Sequence, residues 1–339
     1  MLDFGFNIAM SMVHPQMKSL VELQQLIQKK IDGYCRVNGN NTLFEPINYL
    51  IQLPGKRMRP ALCLMSANLF TDELEPIVYP AFALEVFHNF TLMHDDIMDN
   101  SPLRRGMPTV HEKWNTHKAI LSGDAMMIQS YQLLIKTNTE HLAKLLPLFS
   151  KTALEVCQGQ QLDMDFEHQP VVSAEEYLEM IRLKTSVLLG CAMQMGGLLT
   201  DQDEIVQAQL YQIGLYLGLS FQLKDDYLDA FGESTKVGKR IGNDILAHKK
   251  TFMMLRLHEH MNMVQPHAVE DIYATINDEN ELIHAIKNLY IEKGVDQEAQ
   301  NLIQRYYDHA LSLFEAIDID SSRKKQLLEL MHNLHHREH

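Results

Sequence analysis

The chain has 339 residues, of which 46% are hydrophobic and 22% are charged, and its formal net charge at pH 7 is −14. This composition is typical of a globular protein with ample material for a core. The acidic balance leaves no basic stripe to replace counterions, which argues against nucleic acid as a partner. The opening MLDFGFNIAM has no basic n-region, so it does not resemble a secretory signal, and we expect a cytoplasmic protein with scattered, unpaired cysteines.

Hydrophobic periodicity predicts helices along almost the whole chain, and no pair of alternating β-branched runs is joined by a hairpin turn. Ser173 with Glu176 forms a capping-box pattern, and Thr200 with Asp203 gives a similar signal for the next helix. The fold class is therefore predicted to be all-α. The predicted helices cover roughly residues 17–34, 42–52, 58–70, 76–100, 116–136, 139–166, 174–198, 203–231 and 244–260, followed by shorter helices to about 336.

The segment LEVFHNFTLMHDDIMDNSPLRRG contains a cluster of acids followed by paired arginines. Asp95 and Asp99 are spaced i,i+4, so on a helix they point to one side and provide half of a hard-cation site. Arg104 and Arg105 suit a phosphate-bearing ligand better than a bare metal. A solvated acidic helix face is the alternative, but the preceding apolar run favours Mg²⁺ holding a polyphosphate.

A second acidic box, FQLKDDYLD, contains Asp225, Asp226 and Asp229 at the end of another apolar run. No charged residue occurs from Ile205 to Leu223, but four glutamines interrupt this stretch. It is therefore interpreted as a buried helix and not as a membrane span. Two such boxes at the ends of buried helices could face each other across a cavity.

Basic residues recur in three other places. In LPGKRMRPAL, Gly55, Lys56 and Arg59 precede an apolar helix, and a cationic cluster at a helix N-terminus is a good anion site. An ordinary cationic turn is the alternative. Lys184 precedes an uncharged helix, where an unpaired lysine is costly unless an anion meets it, although a lysine at the edge of the core is about as well supported locally.

The segment after the second box, FGESTKVGKRIGNDILAHKKT, combines glycines with basic residues that include Lys239 and Lys249. We interpret it as a mobile basic flap over a bound anion, with a solvated loop as the alternative. A charge balance supports an anionic ligand. Six box aspartates and two diphosphates carry about −12, while three Mg²⁺ and seven basic residues supply about +13, which is close to neutral.

The motifs GKRMRP, DDIMD with RRG, GQQLD, KTS and FQLKDDYLD with GK run in order from about Gly55 to Lys250. In this the chain resembles the trans-polyprenyl diphosphate synthases, the family of farnesyl and geranylgeranyl diphosphate synthases. The resemblance implies one domain over residues 1–339, a bundle of long antiparallel helices around a central cavity, and a homodimer. Residues 1–16 would be an N-terminal extension and residues 335–339 a flexible tail.

The resemblance also implies the reaction. An allylic diphosphate (dimethylallyl, geranyl or farnesyl) ionises, isopentenyl diphosphate attacks the carbocation, and a proton is lost. About three Mg²⁺ ions, with Mn²⁺ as an alternative, would assist departure of the diphosphate. The rival interpretations are a class I terpene cyclase, which needs no isopentenyl site, and a non-catalytic regulatory subunit, which would be expected to have eroded acidic boxes.

Individual roles follow from the resemblance. The implied metal-binding residues are Asp95, Asp99, Asp163, Asp225 and Asp229. The implied catalytic residues are Asp95, Asp96, Asp99, Lys184, Thr185, Gln222, Asp225 and Asp226. The implied substrate-binding residues are Gly55, Lys56, Arg59, His88, Arg104, Arg105, Gln160, Lys184, Lys239 and Lys249.

Residues before the first box are implied to limit the length of the product. Thr91 and Phe90 lie four and five positions before Asp95, and one aromatic with a small neighbour resembles the enzymes that make C15 or C20 products. At a rise of about 1.5 Å per residue, Thr91 lies about 6 Å and Phe87 about 12 Å below Asp95, so a floor one step deeper admits roughly one more isoprene unit. The first box lacks a two-residue insertion found in many bacterial farnesyl enzymes, which favours geranylgeranyl diphosphate.

Overall fold

The computed structural model describes residues 17–39, 41–232, 241–262 and 267–337. Within these ranges the regular structure is α-helical apart from one two-stranded hairpin, which confirms the predicted fold class. The helices of the first half are α1 (Leu20–Asn38), α2 (Phe44–Gln52), α3 (Met58–Asn68), α4 (Val78–Met98), α5 (Val110–Lys113), α6 (Thr116–Leu134) and α7 (Thr139–His168). A short 3₁₀ turn, Glu75–Ile77, leads into α4, and the strands β1 (Leu103–Arg104) and β2 (Met107–Pro108) follow it.

The second half continues with helices that surround the second acidic box. They are α8 (Ala174–Ile181), a π-helical turn (Arg182–Ser186), α9 (Val187–Leu198), α10 (Glu204–Phe231), α11 (Asn243–Leu246), α12 (Phe252–Asn262), α13 (Ala268–Thr275), α14 (Glu279–Glu292), α15 (Val295–Glu315) and α16 (Ser321–His336). Of the described helices, none is long and apolar enough to cross a membrane.

Helix α9 lies at the centre of the packing because its side chains are apolar on every face, and all but one of its residues are buried. It packs against α3, α7 and α10, and α4 packs along α6. Helix α10 contributes Leu210 and Ile213 to one apolar cluster and Leu219 and Leu223 to a second. The two long helices α4 and α10 thus have their apolar lengths in the core and end in the acidic boxes.

Local signals explain where several helices begin. The predicted capping box at Ser173 is confirmed, because its hydroxyl accepts the Glu176 N–H while the Glu176 carboxylate accepts the Ser173 N–H. For α10 the prediction was inexact. Asp203 itself caps the helix by accepting the N–H of Val206 at 2.8 Å, and Thr200 bonds back to the preceding helix.

The structure differs from the predictions in three places. The helix expected over 244–260 is interrupted between α11 and α12, where His248 has a φ of 53° and stacks on Tyr273 with ring centroids 4.0 Å apart. Helix α16 ends at His336, as the helical prediction to about 336 has it, so residues 335 and 336 do not belong to the expected flexible tail; His335 stacks on Tyr307 at 4.1 Å. The hairpin of β1 and β2 was not expected.

The loop before α3 is fixed by a buried ion pair. Arg57 has a left-handed φ of 48°, and its guanidinium pairs with the Glu85 carboxylate at 2.7 Å. It also donates to the carbonyl oxygens of Ile51 and Leu53 at 2.7 and 2.9 Å. Both partners of the pair are almost completely buried, so each charge depends on the other.

We predict that Glu85→Ala lowers the free energy of unfolding by roughly 3–5 kcal/mol, because it leaves the Arg57 guanidinium buried without its counter-charge. Denaturant unfolding followed by circular dichroism measures the change. The matched control is Glu75→Ala, which removes a surface ion pair with Lys30. The side chain of Glu75 is 76% exposed. That control should cost at most about 1 kcal/mol, and equal costs for the two variants would contradict the argument.

Candidate active site

The first acidic box occupies the C-terminal end of α4. Asp96 is buried, and Arg104 holds it by donating from Nε to both carboxylate oxygens at 2.9 and 2.8 Å. Asp95 lies 3.7 Å from Arg104 and 3.2 Å from the Lys184 ammonium. Burial, and then repulsion by Asp95, raise the pKa of Asp99 to about 6. Acids at the negative end of a helix dipole repel one another and favour a bound cation.

The hairpin of β1 and β2 directs the two arginines to different partners. Arg105 and Gly106 form its turn with φ values of 54° and 76°, the left-handed pair that suits a tight hairpin. Arg104, at the end of β1, reaches the first box, whereas Arg105, in the turn, points to the loop before α3 and donates to the Leu53 carbonyl at 3.3 Å.

A cationic cradle lies beside that loop. A Cβ on Gly55 would lie 2.6 Å from Nη1 of Arg105, so a side chain there would displace the guanidinium from this position. Arg59 lies 3.0 Å from Nε2 of His88, and its own Nε is buried with no hydrogen-bond partner in the described structure. Burial, followed by the nearby arginines, lowers the pKa of His88 well below its usual value. The cradle thus holds positive charge beside a neutral histidine and suits an anion.

Lys184 and Thr185 lie on the π-helical turn between α8 and α9. The turn is clamped on both sides by close backbone contacts. A Cβ on Gly159 of α7 would lie 2.2 Å from the Lys184 nitrogen, and a Cβ on Gly218 of α10 would lie 2.6 Å from the Ser186 Cα. Such π-bulges are frequent at functional sites. Here the extra residue in the turn presents two neighbouring polar side chains to the site.

The second acidic box ends α10 and is held by its own network. Tyr177 donates to one oxygen of Asp226, and the Gln222 amide donates to the other at 3.1 Å. Burial, and then the nearby Asp244, raise the pKa of Asp226 to about 7. Asp229 accepts the backbone N–H of Asp244 at 2.9 Å. The second acidic box and the short helix α11, which carries Asp244, therefore lie against each other.

The π-helical turn joins the two boxes. Lys184 Nζ lies 3.2 Å from Asp95 and 2.5 Å from Asp163, while Thr185 Oγ1 donates to Gln222 at 3.2 Å. Gln222 in turn contacts the second box. Although burial lowers the pKa of Lys184, the flanking carboxylates raise it above its usual value, so this lysine is charged.

Lys249 adds a second cation at the same place. Its ammonium lies 3.4 Å from Asp244. Burial lowers the pKa of Lys249, but Asp244, Asp163 and Asp99 together raise it above its usual value. The site therefore combines acids from both boxes with cations placed between them.

A cavity of about 250 Å³ extends from this centre between α4 and α7. Phe90 and Thr91 line it, as predicted from their positions before the first box, and Gln160 lines the α7 side. Phe87 does not line it, because this side chain is fully buried behind Phe90 with ring centroids 5.5 Å apart. Cys157 lies exposed on the wall, in contrast to the other three cysteines, which are buried.

The donor set suits Mg²⁺ bound together with a ligand. Among the residues that the structure describes, no three His, Cys, Asp or Glu side chains gather into a complete metal-binding group. Mg²⁺ normally takes one or two carboxylates and completes its octahedron with water and substrate phosphate. Asp95 with Asp99, and Asp225 with Asp229, are carboxylate pairs of that kind at the ends of two helices.

Sequence reasoning missed three residues that the structure brings to the site. Tyr177 holds Asp226, Asp244 lies against Asp229, and Arg337 pairs with Asp225 at 2.5 Å. Arg337 also donates to the Phe221 carbonyl at 2.9 Å. Only the charge of Asp244 and its place in the basic segment after the second box could have signalled it, since the other two contacts join distant parts of the chain.

The structure does not place two of the predicted substrate-binding residues, Lys56 and Lys239, at the site. Lys56 is exposed, and the contact that fixes it is made by its backbone carbonyl, which accepts from Gln24 at 2.6 Å. Lys239 lies outside the described residues, as do residues 233–240 of the predicted basic flap.

Comparisons with known proteins agree with this geometry. The sequence profile of the family described as Polyprenyl synthetase matches residues 40–290. A geranylgeranyl pyrophosphate synthase of Geoglobus acetivorans is 34% identical over 317 residues, which cover 93% of this chain and 97% of that relative. The chain belongs to the polyprenyl synthetase family. It is a trans-prenyltransferase of the short-chain type.

Other members of the polyprenyl synthetase family extend the agreement to structure. A geranylgeranyl diphosphate synthase of Methanosarcina mazei is 39% identical over 235 residues, 69% of this chain and 72% of that one. The crystal structure of a geranylgeranyl pyrophosphate synthase matches with a TM-score of 0.89 and 40% identity over 95% of this chain and 100% of the other. The corresponding synthetase of Pyrococcus horikoshii matches with a TM-score of 0.86 and 29% identity over 94% of this chain and 97% of that one. Members of the family use Mg²⁺, isopentenyl diphosphate and an allylic diphosphate.

We predict that without divalent cations the Asp226 carboxyl contributes a loss of stability as the pH rises from about 4 to about 7, because it keeps its proton in the folded state but loses it in the unfolded chain. Asp226→Asn cannot ionise, so this variant should lose less stability over the same range. Thermal unfolding in the presence of a chelator measures both curves. Parallel curves for the two proteins would show that the Asp226 carboxyl is ionised throughout.

Proposed function

We propose that this chain condenses isopentenyl diphosphate with an allylic diphosphate, head to tail and with trans geometry, and that geranylgeranyl diphosphate is its main product. One observation carries the proposal: two neighbouring residues on the π-helical turn serve different acidic boxes, Lys184 through Asp95 and Thr185 through Gln222. The relatives from Geoglobus acetivorans, Methanosarcina mazei and Saccharolobus solfataricus, which are named geranylgeranyl diphosphate synthases, support the product.

Magnesium would be held by Asp95 and Asp99 on one side and by Asp225 and Asp229 on the other, with about three ions for each active site. When bound, the ions stabilise the charge that develops on the departing diphosphate. The structure of a polyprenyl synthase of Caulobacter crescentus, 26% identical with a TM-score of 0.80, is described as complexed with calcium and isoprenyl diphosphate. That description supports a divalent cation and a diphosphate in this fold.

The allylic diphosphate would be held by Arg104, Lys184 and Lys249. Arg104 and Lys184 are already fixed by carboxylates of the first box, so their charges are oriented before a ligand arrives. Lys239, which lies outside the described residues, stays a prediction for the same role. Cations fixed in this way stabilise the leaving group as the C–O bond breaks, at little cost in reorganisation.

Isopentenyl diphosphate would bind in the cradle of Arg59, His88 and Arg105, with Gly55 and Lys56 at its edge. Arg59 has only donors, so it must donate to Nε2 of the neutral His88, whose remaining proton is then on Nδ1. Burial lowers the pKa of Arg59 to about 10, so both arginines carry their charge at neutral pH. Such a cradle has no purpose in a terpene cyclase, which uses a single diphosphate substrate.

The remaining polar groups face the reacting carbons. Thr185 and Gln222 would place oxygen dipoles beside the allylic carbocation, while Phe90 and Leu188 line the cavity and exclude water. The new carbon–carbon bond forms as isopentenyl diphosphate attacks the cation, and loss of a proton restores the double bond. Gln160 and Asp163 would lie at the metal edge of the site. The amide nitrogen of Gln160 is buried without a partner in the described structure.

A homodimer is part of the proposal. Helix α6 exposes Ile120, Leu121 and Ile128, its C-cap residue Ile135 is also exposed, and α7 exposes Leu154. Exposed apolar residues at helical spacing are typical of a surface that another chain covers. Light scattering after size exclusion measures the mass, and a monomer at micromolar concentration would contradict this part. The single domain over residues 1–339, with residues 1–16 as an extension, and the cytoplasmic location stay predictions.

The decisive experiment incubates the purified protein and Mg²⁺ with isopentenyl diphosphate and dimethylallyl, geranyl or farnesyl diphosphate, and separates the products by chromatography. A C20 product that forms only when isopentenyl diphosphate is present supports the proposal. Cyclic hydrocarbon formed from an allylic diphosphate alone would identify a terpene cyclase. No turnover with any primer would instead identify a non-catalytic subunit.

We predict that Phe90→Ala lengthens the product by about one C5 unit, because the cavity then extends to the ring of Phe87 behind it. Phe87→Ala alone should leave the product unchanged, since Phe87 does not line the cavity, whereas the double variant should lengthen it further. Chain length is read from the hydrolysed products. An unchanged distribution for Phe90→Ala, in an active and folded enzyme, would refute its role as the floor.

A further inference from the structure

Gly123 lies in the middle of α6, directly against the ring of His94 on α4. A Cβ built on Gly123 would lie 2.2 Å from Nε2 of His94 and 2.5 Å from its Cδ2. Glycine inside a helix costs about 1 kcal/mol relative to alanine. Gly123 has an ordinary helical backbone and is buried, so its conformation does not require glycine. Glycine is needed here because the His94 ring occupies the space that a Cβ would take.

The His94 ring is held in place from three sides. Nε2 lies 3.1 Å from the carbonyl oxygen of Ile120 and 3.9 Å from the Asp124 carboxylate, both on α6. The ring also packs edge-on against Phe90, one helical turn earlier on α4, with centroids 4.8 Å apart. Phe90 and His94 therefore form one aromatic pair, fastened to α6 at the His94 end.

This pair is also a wall of the cavity, since both side chains line it together with Thr91. Because the backbone of Gly123 lies directly behind the ring, a methyl group there can be accommodated only if the ring moves away from α6. Restoring an ordinary contact distance of 3.4 Å requires a retreat of roughly 1 Å. Since His94 lines the cavity and none of the described residues that line it belongs to α6, a retreat of the ring from α6 brings it toward the cavity.

We propose that the contact between Gly123 and His94 sets the position of the cavity wall and so determines the length of the product, with both residues acting as specificity-determining residues through Phe90. The inference rests on the proposed function, because it assumes that the growing isoprenoid chain occupies this cavity. It assigns part of the chain-length control to α6, behind the residues that contact the product. A hydrophobic pocket discriminates by roughly 10- to 200-fold for each methylene group, so a small shift of the wall has a measurable effect.

The test uses two substitutions with opposite expected results. Gly123→Ala pushes the ring inward and should raise the ratio of C15 to C20 product by about tenfold. His94→Ala removes the ring and should move the distribution toward C25. In the double variant the methyl group has no ring to displace, so its distribution should resemble that of His94→Ala and not that of Gly123→Ala. The products are measured with saturating isopentenyl diphosphate and Mg²⁺.

Gly33→Ala is the matched control, because it makes the same change inside α1 at a position with nothing within 4 Å of the added Cβ. It should leave the product distribution unchanged. If Gly123 served only the packing of α4 on α6, Gly123→Ala would lower the melting temperature without changing the product ratio. That outcome, or a shift in the same direction for Gly123→Ala and His94→Ala, would overturn the proposal.

Binding of unreactive prenyl thiodiphosphates separates this inference from the proposed function. Calorimetry with the geranyl and farnesyl analogues should show that Gly123→Ala weakens binding of the farnesyl analogue by about tenfold more than that of the geranyl analogue. Equal losses of affinity for both analogues would refute the proposal that the contact between Gly123 and His94 sets the position of the cavity wall. Failure of the wild-type protein to bind either analogue, or to consume isopentenyl diphosphate, would refute the proposed function itself.

Discussion

The placement of Lys184 between Asp95 and Asp163 is the interaction on which the rest of the site depends. An ammonium group in this position offsets the repulsion between acids supplied by α4 and α7, and it does so from a turn that also contacts α10. The turn can approach both helices only because Gly159 and Gly218 have no side chains there. Three helices are thus brought to one point by backbone packing, and the chemistry follows from that packing.

The same arrangement lowers the stability of the folded protein, because charged groups are buried close to groups of like charge. Burial and like charges raise the pKa values of Asp99 and Asp226 to about 6 and about 7, whereas His88 is kept neutral by burial and surrounding arginines. Arg104, Lys184 and Lys249 lie among the acids of the site, while Arg59 and His88 belong to the separate cationic cradle. In the proposed function, divalent cations and diphosphates would balance the charges of the site, and their binding would then stabilise the folded protein.

The sequence predicted those features that depend on neighbouring residues. Helical periodicity, the capping box at Ser173 and the acidic boxes are local patterns, and the structure contains each of them. The hairpin of β1 and β2 escaped prediction because its strands have two residues each and its turn, Arg105–Gly106, lacks the usual Asn or Asp. The π-helical turn and the pair of Arg337 with Asp225 depend on contacts between distant segments, which no local pattern encodes.

The cavity shows the same limit at the level of specificity. An ideal helix turns Phe90 away from the face of Asp95, and yet Phe90 lines the cavity, because its partner His94 is fastened to α6 and Phe87 packs behind it. The position of a side chain that lines the cavity is therefore set partly by residues behind it, on α6 and deeper in α4. Since α4 packs along the length of α6, small changes of volume on α6 are transmitted to the cavity through close-packed rings, which have little free space to absorb them. Under the proposed function, product length would for this reason be a property of the packing between two helices, and one residue before the acidic box would not determine it alone.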